Sequence, residues 1–169
     1  MKIEPTTQPK SGPKDKPILR DPVKVTLDAP VWYLTAKGPT RASRTLTCDR
    51  AHALLVYGPL NDWAVKYGFA IVHIGTYYPR KARTQSGKTI LYNGRPRWSG
   101  HSWGAIDFAG VIASDGKFYD TNDLKAGAPA KFEELYNDIK AAVQQAGRTL
   151  EYVTESHWRH VGLVPAGGW

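Results

Sequence analysis

Apolar and polar positions first alternate in a sustained way at 23–27, and a β-branched, aromatic run follows at 31–35. Period-two alternation of this kind predicts two strands, and Asp28-Ala29-Pro30 between them predicts the turn of an edge hairpin. From 47 to 67 the period changes. Ala51, Leu54, Leu55, Leu60, Trp63 and Ala64 recur at helical spacing, with Thr47 or Asp49 placed to cap the start. Gly58-Pro59 should kink or split this helix, and Gly68 should end it. Residues 69–76, Phe-Ala-Ile-Val-His-Ile-Gly-Thr, form a nearly unbroken apolar run that suits a central strand.

The stretch 77–97 loses the pattern and reads as a long basic loop, with a short strand at 89–92. A loop of that length in a small domain is usually functional or mobile. A strand is expected at 105–113, then an Asp115-Gly116 hairpin turn and a return strand at 117–119. Phe132, Leu135, Ile139, Ala142, Val143 and Ala146 share one face of an amphipathic helix over 130–146, which Gly147 closes. A last strand is expected at 149–153, leading into Glu155-Ser156-His157-Trp158-Arg159-His160.

Composition adds the domain plan. Pro5, Pro9, Pro13 and Pro17 lie among Lys, Thr, Ser and Gly, so 1–21 is expected to be a flexible leader and 22–169 a single domain. Lys and Arg outnumber Asp and Glu by 23 to 15, a net charge of +8 that favours polyanionic partners. No zinc-finger, homeodomain or RNP-like pattern accompanies that charge, so nucleic acid is not the expected partner. The N-terminal residues lack the apolar core of a signal peptide, and no run is long enough to span a membrane. Cytoplasmic synthesis is expected, with action in the periplasm or cell wall after release or machine-mediated delivery. Cys48 is the single cysteine, so a zinc site would have to use histidine and carboxylate ligands.

The candidate chemistry centres on 98–110, Trp-Ser-Gly-His-Ser-Trp-Gly-Ala-Ile-Asp-Phe-Ala-Gly. His101 and Asp107 can both ligate zinc, and Gly104 permits the tight turn that would bring them together. Asp107 sits among Ala105, Ile106 and Phe108, where a carboxylate must be paired or metal-bound. Two ligands do not make a catalytic zinc site, and the cluster 155–160 is expected to fold back and complete it. His52 and His73 read as structural residues of a helix and a strand.

Several of these pieces resemble the LAS-type zinc peptidases, the D-alanyl-D-alanine carboxypeptidase-like enzymes that cleave peptidoglycan stem peptides, and among them the extensin-like C-terminal domains. The pieces are His73-Ile-Gly-Thr-Tyr-Tyr-Pro-Arg80, Ser99-Gly-His-Ser-Trp-Gly-Ala-Ile-Asp-Phe-Ala-Gly-Val111, the Asp115-Gly116 hairpin and His157-Trp-Arg-His160. The resemblance implies an α+β fold of the hedgehog/DD-peptidase kind, a small antiparallel sheet flanked by helices and cradling one Zn²⁺. It implies His101, Asp107 and His160 as ligands and Arg80 as the residue that steadies the oxyanion. Glu155 or His157 would be the base. The family spaces its first His and Asp seven positions apart, whereas here they are six apart.

The function expected from all this is zinc-dependent hydrolysis of a peptide bond in cell-wall stem peptides or cross-bridges, of an endolysin or secreted-effector type. Peptidoglycan is the expected partner, with a delivery or immunity protein beside it. The competing expectation is a catalytically decayed module of the same fold, serving a phage particle or a secretion apparatus in binding or structure.

Overall fold

The structure, a computed structural model, describes residues 1–84, 86–121, 131–151 and 159–169. It is a mixed α/β fold built on two principal sheets. Strands β1 (Lys2–Pro5), β2 (Pro22–Thr26) and β5 (Thr45–Asp49) make a three-stranded antiparallel sheet in the order β1-β2-β5. Strands β3 (Val31–Thr35), β4 (Gly38–Arg41), β6 (Ala70–Gly75), β9 (Ile106–Ile112), β10 (Phe118–Asp120), β11 (Leu150–Glu151) and β12 (His160–Leu163) make the second. Its order is β11-β12-β9-β6-β3-β4, and β10 also pairs with β9. Among the described residues every pair in it is antiparallel except β3 with β6, which is parallel, so the sheet is mixed rather than purely antiparallel.

The expected hairpin at 23–35 does not form. Asn61 Oδ1 accepts the backbone N–H groups of Asp28 and Ala29, at 2.7 and 3.3 Å. This anchors the corner to a helix, and the chain leaves one sheet there and enters the other. Residues 2–5, assigned by composition to a flexible leader, pair instead with β2, where Ile3 lies opposite Val25.

Helical structure begins after β5, so of the two expected caps it is Asp49 that occupies the N-cap position, without a side-chain cap bond, while Thr47 lies within the strand. Three segments then run on without a break: α1 (Arg50–His52), a π-helical turn (Ala53–Tyr57) and α2 (Gly58–Tyr67). Gly58-Pro59 does not split them. The wide turn ends with Gly58 N–H donating to Ala53 O, and Pro59 falls in the first turn of α2, where its missing N–H costs nothing. Gly68, at φ +67°, ends the helix as expected.

Helix α3 (Phe132–Gln145) packs beside α2, and both bury their apolar faces. Trp63 is central. Its ring meets Phe69, Phe108 and Phe132 at centroid distances of 5.1, 6.3 and 5.7 Å, and its Nε1–H donates to Lys131 O at 2.8 Å. Burying such aromatic surface is worth about 25 cal/mol per Å². The long basic loop is more ordered than its composition implies. Strands β7 (Leu91–Tyr92) and β8 (Arg95–Pro96) form a hairpin on Asn93-Gly94, both at positive φ, and Lys81 bridges to Trp98. Asn-Gly is a strong signal for that turn.

Candidate metal centre

Strand alternation sets the position of the site. In β9, Ile106 and Phe108 belong to the core, so Asp107 between them points to the opposite face of the sheet. In β12, Val161 joins the core and His160 is the residue directly opposite Asp107 in the antiparallel register. His101 comes from a short 3-10 turn (Gly100–Ser102) just ahead of β9. Gly104 makes this geometry possible. Its φ is +110°, and a Cβ there would lie 2.2 Å from Cys48 Cβ. The turn is held from below by Tyr57, whose hydroxyl donates to Gly104 O at 2.9 Å.

The three side chains converge. One potential ligand atom from each of His101, Asp107 and His160 lies within 4.8 Å of the other two, a grouping that could hold a metal ion. Asp107 presents one oxygen to each histidine: Oδ2 lies 3.0 Å from His101 Nε2, and Oδ1 lies 3.0 Å from His160 Nδ1. His101 is buried, and its Nδ1 lies 2.8 Å from Thr76 O. A carbonyl can only accept, so Nδ1 carries a proton and Nε2 is the nitrogen that can present a lone pair. Although close to Asp107, Nε2 makes no hydrogen bond, and it is left a buried polar atom without such a partner. An unpaired imidazole nitrogen beside a carboxylate and a second imidazole is a donor set suited to a metal cation. Gly75 keeps the approach open, because it pairs with Asp107 and carries no side chain.

Charge is strongly organised here. Burial pulls the Asp107 carboxyl upward, but its contacts with His101 and His160 outweigh that and hold it well below the usual carboxylate range. Burial pulls His160 down, yet its hydrogen bonds to Asp107 and Glu151 and the charge of both carboxylates push it up to about 9. Arg80 NH2 lies 3.8 Å from Asp107 Oδ2 on a half-exposed side chain, and the Arg80 backbone is tied to the same turn through Ser99 and Ser102.

The structure therefore brings together four of the six residues expected at the site: His101, Asp107, His160 and Arg80. Glu155 and His157 lie outside the described residues. His52 and His73 are not among the three side chains of the group. His52 is buried, and its Nε2 accepts the Leu163 N–H at 3.1 Å; His73 packs edge-on against Tyr33. Cys48 is buried, and burial pushes its thiol up to about 12, which disfavours the thiolate.

Two residues at the site escaped the sequence reading. Glu151 is buried at 4% exposure, with Oε2 at 3.0 Å from His160 Nε2 and Oε1 at 2.7 Å from Arg97 NH2. The available signal was an acid inside an expected strand at 149–153, where a buried carboxylate demands a partner. Arg97 was one of several basic residues in the loop, with nothing in the sequence to single it out.

No helix among the described residues is long and apolar enough to cross a membrane. Comparison with protein-family models, with curated proteins and with solved structures finds no match to this chain.

Proposed function

We propose that the protein is a zinc-dependent peptide hydrolase acting on peptidoglycan stem peptides or cross-bridges, built on the LAS-type fold that its motifs resemble. The observation that carries this reading is the meeting of His101 Nε2, the Asp107 carboxylate and His160 Nδ1 from three separate elements. Two imidazoles and one carboxylate are a usual ligand set for a catalytic zinc site, which keeps a fourth position open.

Zinc held there would supply a Lewis acid that polarises a carbonyl and makes water more acidic at neutral pH. The chain's own residues do the rest. Arg80, half-exposed at the rim, offers its guanidinium to the charge that develops on the substrate oxygen. Asp107 and the fixed tautomer of His101 keep the ligand geometry from relaxing. Glu155 or His157 is assigned the proton transfer to the leaving amine. The net charge of +8 suits an anionic wall polymer.

One observation favours the second reading, a metal-free module of the same fold. His160 lies within hydrogen-bond distance of carboxylates through both nitrogens, so a protonated ring can satisfy the cluster without an ion. Metal analysis of the purified protein, followed by digestion of purified sacculi with and without EDTA, separates the two. About one equivalent of zinc and EDTA-sensitive release of peptide support the hydrolase. Absence of both supports the module.

A further inference from the structure

Glu151 occupies a space that the chain keeps clear for it. A Cβ on Gly100 would lie 1.7 Å from Glu151 Oε2 and 2.8 Å from its Cδ. A Cβ on Gly162 would lie 3.3 Å from the same oxygen and 2.6 Å from Ala105 Cβ. Neither glycine has a positive φ, so backbone conformation does not demand glycine at these positions. Their common feature is the carboxylate between them.

The charge of that carboxylate is answered on its far side. Arg97 binds Oε1 at 2.7 Å, and its guanidinium carbon lies 3.8 Å from the centre of the Trp169 ring. Trp169 in turn meets Trp103 edge-on at 5.7 Å. A buried acid paired in this way is held in one place and can accept a further hydrogen bond through its other oxygen. That oxygen, Oε2, lies 3.0 Å from His160 Nε2.

We propose that Glu151, held by Arg97 in a slot between Gly100 and Gly162, is the positioning residue of the metal centre. It takes the Nε2–H of His160, which leaves Nδ1, 3.0 Å from Asp107 Oδ1, as the lone-pair nitrogen. A histidine ligand is oriented by the acceptor on its other nitrogen, and loss of such an acceptor typically costs about 10- to 100-fold in metal affinity. Without Glu151 either nitrogen of His160 can carry the proton, and the ring is free to turn away from its partners. The inference rests on the metal reading of the site given above.

The test uses cobalt and zinc on the full chain, with competition against a chromophoric chelator and the visible absorption of bound cobalt as readouts. Glu151→Gln and Arg97→Ala are each expected to weaken cobalt binding about 10- to 100-fold and to shift its spectrum. Glu151→Asp, which keeps the charge, is expected to recover part of the loss. A long-range ¹H–¹⁵N spectrum of the zinc-loaded wild-type protein, with His160 assigned by difference against His160→Gln, needs no folded Glu151 variant. It should show His160 protonated at Nε2 and metal-bound at Nδ1. Cobalt binding by Glu151→Gln within twofold of wild type with an unchanged spectrum, or metal on His160 Nε2, overturns the positioning role while leaving the metal site standing. If the wild-type chain binds neither metal, the metal reading itself fails and takes this inference with it.

Discussion

His160 and Asp107, fifty-three positions apart in the chain, stand directly opposite each other on adjacent antiparallel strands, with Nδ1 and Oδ1 3.0 Å apart. Register is what aligns them. A slip of one residue in β12 would turn His160 into the core and bring Val161 to the site, because side chains alternate between the two faces of a sheet.

Removing either member should abolish metal binding without abolishing the fold. Asp107→Asn and His160→Ala are expected to lower bound zinc from about one equivalent to none, measured after dialysis against a zinc buffer. Asp107 is partly exposed, so Asp107→Asn should cost only about 1–3 kcal/mol in urea denaturation of the metal-free protein. Retention of a full equivalent of zinc by Asp107→Asn would exclude the assigned ligand set.

Gly104→Ala should be among the most damaging single-methyl changes in the chain. It places a Cβ 2.2 Å from Cys48 Cβ at a φ of +110°, so overpacking and backbone strain add. The expected loss is roughly 2–5 kcal/mol, read from the denaturation midpoint. Gly116→Ala, also at positive φ but with open space around it, should cost less and serves as the comparison.

Metal-free protein should be most stable near pH 6.5. Burial first, then the charge of Arg148, lowers His52 from 6.5 to about 3, so the unfolded chain binds that proton more readily than the folded one. Stability from this residue is therefore complete above pH 6.5 and falls as pH drops toward 3, by about 1.4 kcal/mol per pH unit. His160 works the other way. Its folded value is raised to about 9, so its contribution is complete below 6.5 and is lost as pH rises through 9. Zinc competes with the proton at His160, so zinc loading should remove the alkaline slope and, as its ligands protonate and the ion is released, steepen the acid slope. Thermal melts across pH 4–10, with and without zinc, would reveal both arms. An alkaline slope unchanged by zinc would contradict the role of His160 as a ligand.

Arg80→Ala should separate binding of the ion from turnover. The side chain is half-exposed and 3.8 Å from Asp107, so its loss should change stability by less than about 1 kcal/mol and leave zinc stoichiometry intact. If it steadies the developing oxyanion, kcat/KM on a stem-peptide substrate should fall about 10²–10³-fold. A drop of less than tenfold would remove Arg80 from the chemistry.

Much of the local structure was legible in the residues. The apolar run at 69–76, the Asp115-Gly116 hairpin, the amphipathic face from Phe132 to Val143 and the stop at Gly68 all report short-range preferences, and β6, β10, α3 and the end of α2 follow them. The turn at Gly104 was legible too, because His101 and Asp107 are close enough in sequence for one glycine to bring them together. For the first helix the residues left two caps open, Thr47 and Asp49, and the strand alternation of Thr45–Asp49 places the start at Asp49.

Sequence alone thus determined several of the elements, the His101–Asp107 pair and the chemistry those two side chains can offer, since each depends on neighbours within a few residues. Tertiary structure decided which strands share a sheet, that β12 lies against β9 with His160 facing Asp107, and that Glu151 reaches His160 through the gap left by Gly100 and Gly162. Those relations depend on non-local hydrogen-bond register and on space left between distant segments. Neither leaves a periodic trace along the chain.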